Sequence, residues 1–273
     1  MFARNIIKSF YVKHRRQILL SAALIFVIWG CGSSTDELTK TPTPQGSAEQ
    51  LFAEGKADYA KQDYEEAIRV FDQVRIQAPA SPMAAEATYL EGMSRFNQEM
   101  YAGSAQDFRA VRRSYPSSPY AARAQYMVGE SYFQISPQPL LDQSYSILAL
   151  TEFENFLHDY PNASVTLADS AQKRIVDIRD KLAEKYFLAA KLYEKLDAPK
   201  SAIIYYQRVL DNFYDTPPAT ESQLRIAEID LDLKKYDDAR KALANFDTKY
   251  LQLASPSERK RALELHSKLS VPQ

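Results

Sequence analysis

The 25 residues from Gly55 to Pro79 are written again further along the chain. Gly55 recurs as Gly92 and Gly129, and Tyr59 as Phe96 and Phe133. Tyr64, Phe71 and Pro79 recur as Tyr101, Phe108 and Pro116, every step being 37 residues. A fixed period in the thirties, with Gly in a first apolar segment and Ala plus an aromatic in a second, specifies helix pairs joined by a turn. The constraint is physical: one helical hairpin cannot bury its apolar face alone, whereas stacked hairpins share a continuous core. The expected fold is an all-α solenoid of about five helical hairpins.

The pattern can be followed outward from that stretch. Ala48, Phe52, Gly55 and Tyr59 keep one helix face by their 3–4 spacing, and Tyr64, Ala67 and Phe71 lay a second stripe with a small residue where the two helices would touch. Tyr89, Gly92, Phe96, Tyr101, Ser104 and Phe108 repeat this, and Tyr126, Gly129 and Phe133 begin a third unit. Its second helix, with Ala149, Phe153 and Pro161, comes eight residues late, which places a Pro-containing loop at 135–143. Val165 to Leu196 has no Pro or Gly and reads as one long linking helix. Ala202 and Tyr206 mark a fourth second helix. Leu224, Ala227 and Leu231, followed by Tyr236, Ala239 and Leu243, mark a weaker fifth pair. Repeats one to three thus span 48–161, the long helix and repeats four and five span 162–254, and 255–273 is expected as a frayed terminal helix or tail.

Charge divides the chain. Residues 1–30 hold five basic residues (Arg4, Lys8, Lys13, Arg15 and Arg16) and no acid. Ile18 to Trp29 is an apolar run shorter than the ~20 residues of a bilayer span and suited to a signal-peptide core. It ends at Ile28-Trp29-Gly30-Cys31, which resembles a bacterial lipobox, with Trp29 at the position where a small residue is usual. That resemblance implies a lipoprotein signal peptide over 1–30 and covalent lipid on Cys31. With Gly32 rather than Asp next, it also implies sorting to the outer membrane. Cys31 is the sole cysteine, so no internal disulfide framework is available. Residues 31–47 are rich in Ser, Thr and Pro and read as a flexible tether. Beyond residue 30, 29 basic residues face 35 acidic ones. A body with a net charge of −6 lacks the clustered Lys and Arg that nucleic-acid binding requires.

Catalytic chemistry finds little material. His14, His158 and His266 are scattered without metal-ligand spacing, and no phosphate-binding Gly-rich loop occurs. Glu65-Glu66 and Asp237-Asp238 each open the second helix of a hairpin, where carboxylates complement the helix N-terminus. The expectation is a non-enzyme without cofactor or metal. The functional candidate is an aromatic ladder of Phe52 and Tyr59, Tyr89 and Phe96, Tyr126 and Phe133. Each pair is seven apart, so both rings leave the first helix on one side, in three tiers. Such rings could grip an extended apolar peptide, or they could pack between neighbouring hairpins.

The spacing Gly-x8-Tyr-x2-Ala-x3-Phe-x7-Pro resembles the tetratricopeptide repeat, a protein-binding scaffold. The lipobox cysteine, the tether and five such repeats together are similar to the BamD family, lipoproteins of the outer-membrane β-barrel assembly machinery. Asp142-Gln143, Phe153 to Pro161 (FENFLHDYP) and Gln172 to Glu184 (QKRIVDIRDKLAE), running into Ala189 to Tyr193, carry the likeness, which covers about residues 28–250. The resemblance implies an adaptor on the periplasmic face of the outer membrane. Its N-terminal repeats would receive unfolded outer-membrane proteins, and its C-terminal repeats would dock on the periplasmic domains of a BamA-like barrel subunit. Other assembly lipoproteins would be further partners. Many family members carry Asn-Arg at Ile204-Tyr205, and that Arg is tied to the barrel-subunit contact. Tyr205 cannot make its ion pair, so Arg208 becomes the candidate cation. The alternative is a lipidated repeat scaffold or pilotin for a pilus or secretion system.

Overall fold

The computed structural model describes residues 46–270. The expected signal peptide, the lipidated Cys31 and most of the tether lie outside the described residues. Eleven helices follow: α1 Ala48–Ala60, α2 Tyr64–Gln77, α3 Pro82–Asn97, α4 Tyr101–Ser114, α5 Ala121–Ile135, α6 Ser144–Asp159, α7 Val165–Lys195, α8 Pro199–Asn212, α9 Pro217–Asp232, α10 Tyr236–Lys249 and α11 Pro256–Ser270. No strand occurs among the described residues. Each helix packs on the next, and first helices also touch across hairpins, α1 on α3 and α7 on α9. This is the stacked-hairpin array that the period requires.

Helix boundaries follow local chemistry. Ser47 and Gln50 form a reciprocal capping box at the start of α1, and Asp63 and Ser81 cap α2 and α4's predecessor α3. Pro occupies the first turn of α3, α8 and α9, where its missing N–H costs nothing. The tight turns inside four hairpins each contain a residue in the left-handed region: Gln62, Glu99, Asp197 and Lys234, with φ between 54° and 66°.

Inside each hairpin the second helix presses an aromatic ring onto the first. A Cβ added to Gly55, Gly92 or Gly129 would stand 2.7, 2.8 or 2.9 Å from Phe71, Phe108 or Phe153. Only glycine lets the helices come this close. The small residues Ala67, Ser104, Ala149, Ala202 and Ala239 are all fully buried in the same register, as are Phe71, Phe108, Phe153 and Tyr206. Val74, Val111, Phe156 and Val209, three positions after the aromatic, and Phe246, three after Leu243, complete a buried stripe of second-helix residues.

The long helix runs 31 residues, about 46 Å at 1.5 Å per residue, and serves two neighbours. Its first half meets the third hairpin through Arg174 on Glu130 and through Lys181, whose Nζ donates to Ser136 Oγ at 2.6 Å. Its second half is the first helix of the fourth hairpin: Ala190 is fully buried, and Phe187 packs on Tyr206 with ring centroids 5.6 Å apart. Residues from Gly46 onward form one compact unit, with no break between the two halves of the array.

The chain's end is a terminal helix, one of the two alternatives expected for 255–273, and it is docked rather than frayed. α11 docks on α9 and α10 and buries Ala262, Leu265 and Leu269. Arg261 donates to Glu221 at 2.7 Å and to Glu228 at 2.9 Å, and Arg225 pairs with both Glu228 and Glu194. Tyr206 donates to Glu194 as well, and burial beside that carboxylate raises its phenol pKa. An apolar stripe plus this linked set of charges holds the last helix, which composition alone could not reveal.

Candidate functional site

The six ladder residues are all half-buried. Their inner edges belong to the hairpin core. Phe52 lies 6.2 Å from Phe71, Tyr89 5.5 Å from Phe108 and Tyr126 5.4 Å from Phe153, so the first ring of each tier rests on the ring that presses the recurring glycine of its repeat. The second rings meet the residue that opens the next helix. Tyr59 stands edge-on to Tyr64 at 5.6 Å and Phe96 edge-on to Tyr101 at 5.1 Å. Among the described residues no ladder ring stacks on a ladder ring of the next tier. The polar link there is Asn97 Nδ2 donating to the Tyr59 hydroxyl at 3.4 Å. Core packing and a partly open outer face are therefore properties of the same rings.

The long helix partly covers the third tier. Arg174 lies over Phe133 at 4.2 Å and Lys181 over the same ring at 5.0 Å. Arg174 also grips Glu130 with two hydrogen bonds of 2.9 and 2.7 Å, and Glu130 accepts from Tyr126 at 3.3 Å. Burial, with Glu130 alongside, raises the Tyr126 phenol pKa. Sequence reading singled out the segment holding Arg174 but gave that residue no role. The loop beside this tier is organised by Gln143, whose Nε2 donates to Gln138 O at 2.7 Å and whose Oε1 accepts from Ser146 at 2.7 Å.

Tyr205 and Arg208 lie on α8 in a different cluster. Tyr205 stacks on Tyr193 with centroids 5.0 Å apart and lies tilted against Tyr186 at 6.5 Å. Arg208 sits over Tyr205 at 5.0 Å and over Tyr186 at 5.9 Å. The proximity of Tyr205 raises the Tyr193 pKa. Arg208 remains exposed, so its guanidinium is oriented by aromatic faces while its edge stays in water.

Other titratable groups are arranged as ion pairs. Glu54, Asp58 and Glu66 bring carboxylate oxygens within 4.8 Å of one another, but Lys61 holds Asp58 at 3.1 Å and Arg69 holds Glu66. His158 lies beside Asp159 and His266 beside Asp247, both at the surface. No helix among the described residues is long and apolar enough to cross a membrane.

Comparison with known proteins places this geometry in context. A family model described as "YfiO: Outer membrane lipoprotein" matches residues 44–243. The chain is 27% identical over 225 residues to the outer membrane protein assembly factor BamD of Rickettsia prowazekii (strain Madrid E), covering 82% of this chain and 87% of that one. Among solved structures, the TPR2AB domain of yeast Sti1 in its pHSP90 complex is 15% identical, covers 82% of this chain and 98% of that one, and superposes with a TM-score of 0.38. MamA from Desulfovibrio magneticus RS-1 is 16% identical, covers 84% and 100%, and gives 0.34. Superpositions this loose add nothing to the fold described above.

Proposed function

Because the chain belongs to the YfiO family of outer membrane lipoproteins, we propose that it is a non-enzymatic adaptor of the β-barrel assembly machinery, anchored by lipid on Cys31 at the periplasmic face. The observation that carries this reading is the extent of the family match, which runs over residues 44–243, from the first hairpin into α10, rather than through one motif. The assembly role named for the Rickettsia relative agrees with it. The half-buried rings Phe52, Tyr59, Tyr89, Phe96, Tyr126 and Phe133 would receive apolar segments of unfolded outer-membrane proteins. Large amphipathic rings already held by their own hairpins lose little entropy on binding. The α8 cluster would meet the periplasmic domains of a BamA-like barrel subunit. There Arg208, braced on Tyr205 and Tyr186, would supply the cation that Tyr205 cannot.

The test is recovery of the native lipoprotein from detergent-solubilised envelopes, with its companions identified by mass spectrometry. Stoichiometric recovery of a large β-barrel protein with periplasmic repeat domains is the expected result. Recovery of pilus or secretin subunits without such a barrel would overturn the reading in favour of a pilotin.

A further inference from the structure

A groove runs between α8 and α10, with α9 lying between them and packing on both. Its volume is about 780 Å³, within the range of ligand-binding clefts. It uses none of the residues assigned above. The floor is apolar: Ile226, Ala242 and Tyr250 are buried there, and Leu210 joins them. At the mouth stand two large apolar side chains in open solvent, Tyr214 at 63% and Leu253 at 72% exposure.

The polar lining is unbalanced. Asp211, Asp215, Asp230 and Asp238 line the groove against Lys241 and Lys249. Asp215 is neutralised by Arg179, and Lys241 comes no closer than 3.7 Å to Asp238. Asp230 is the informative group. It is 5% exposed, its Oδ1 makes no hydrogen bond, and the nearest cation, Lys235, stops 3.5 Å away. A buried carboxylate without full hydrogen bonding is costly. The buried Gln223 amide on the same helix donates to Ala242 O at 2.9 Å, not to Asp230.

We propose that this groove is a docking site for an extended peptide segment of a partner protein carrying a Lys or Arg side chain between apolar residues. The cation would complete the coordination of Asp230, with Asp211 and Asp238 attracting it, while flanking apolar side chains cover the floor beside Tyr214 and Leu253. Charge complementarity selects this occupant over an acidic or wholly apolar one: an acidic segment would be repelled by Asp211 and Asp230, and an apolar one would cover the Asp230 carboxylate with only the 3.5 Å contact to Lys235 to compensate it.

The test is fluorescence anisotropy of the full-length protein in detergent with a fluorescein-labelled nonapeptide, GSLYRLYSG, and with two analogues in which glutamine or glutamate replaces the arginine. The arginine peptide is expected to bind at least about tenfold more tightly than the glutamine analogue, with the glutamate analogue weaker still. That preference should be lost in Asp230→Asn and in Asp211→Lys, and kept in Glu65→Lys, which lies on the first hairpin. Should Asp230→Asn fail to fold, Asp211→Lys at an exposed helix position decides alone. Equal binding of the three peptides, no saturable binding of the arginine peptide, or a preference surviving both substitutions would overturn the proposal. So would concentration-dependent self-association in sedimentation that Asp211→Lys abolishes, which would make a second copy of the chain the occupant. Neither result bears on which proteins accompany the lipoprotein in envelopes, so the two readings fail separately.

Discussion

At Gly129 the Cβ of any other residue would stand 2.9 Å from Cδ1 of Phe153, a ring with no exposed surface and nowhere to retreat. At Gly103 a Cβ would meet only the Arg95 side chain, its Cδ at 3.1 Å and Nε at 3.8 Å, a chain with several rotatable bonds rather than a rigid ring. Alanine gains up to ~1 kcal/mol over glycine in a helix interior, while overpacking costs about 1–3 kcal/mol. Gly129→Ala should therefore lower the free energy of urea unfolding and Gly103→Ala should leave it level or raise it. Equal effects at the two sites would rule out close packing as the reason for Gly129. Burial sets a second residue-scale outcome at Glu91, which is 4% exposed. Desolvation comes first, and Asp107 competes for the same Arg95, so the carboxyl is pushed up to about 7 from its ordinary 4.5 although Arg95 lies 2.8 Å away. The folded state then holds a proton that the unfolded state has released, so stability falls as pH rises from about 4.5 through 7. Glu91→Gln should flatten this decline, read as the difference in melting temperature between pH 5 and pH 8. Parallel curves for the two proteins would contradict it.

At the scale of elements, α7 is, among the described residues, the helix that serves two hairpins. Ala183 is fully buried at its middle, between Lys181 on the third-hairpin side and Phe187 on the fourth. Proline there removes a helical hydrogen bond and clashes with the preceding turn, at about 3 kcal/mol or more. Because a stacked array is coupled only through neighbours, Ala183→Pro should split a single unfolding transition into two, seen by calorimetry or hydrogen exchange. One lowered but still single transition would mean that the halves are coupled by something other than α7. The length of this helix was legible from the run without Pro or Gly, and so were the loop at 135–143 and the hairpin stripes. The left-handed turn residues were not. Of Gln62, Glu99, Asp197 and Lys234, only Asp has a side chain that favours that conformation. The geometry is imposed by two helices that must meet.

Across the whole molecule, the 37-residue recurrence by itself determined that the chain is helical, that the helices come in pairs and which residues lie inside each pair. These are properties of spacing along the chain, and a helix converts spacing directly into a face. It also placed the ladder rings on the first helices and the acidic pairs at helix starts. Only the tertiary structure decided how open each surface is. Phe133 is partly covered because Arg174 and Lys181 arrive from another helix, and Tyr205 is braced because Tyr186 and Tyr193 lie across from it. The terminal helix docks because Arg261 finds Glu221 and Glu228. The groove beside Asp230 opens because α9 keeps α8 and α10 apart. Coverage of a side chain depends on groups distant in sequence whose approach is set by the accumulated packing of every hairpin between them, and no local period encodes that approach.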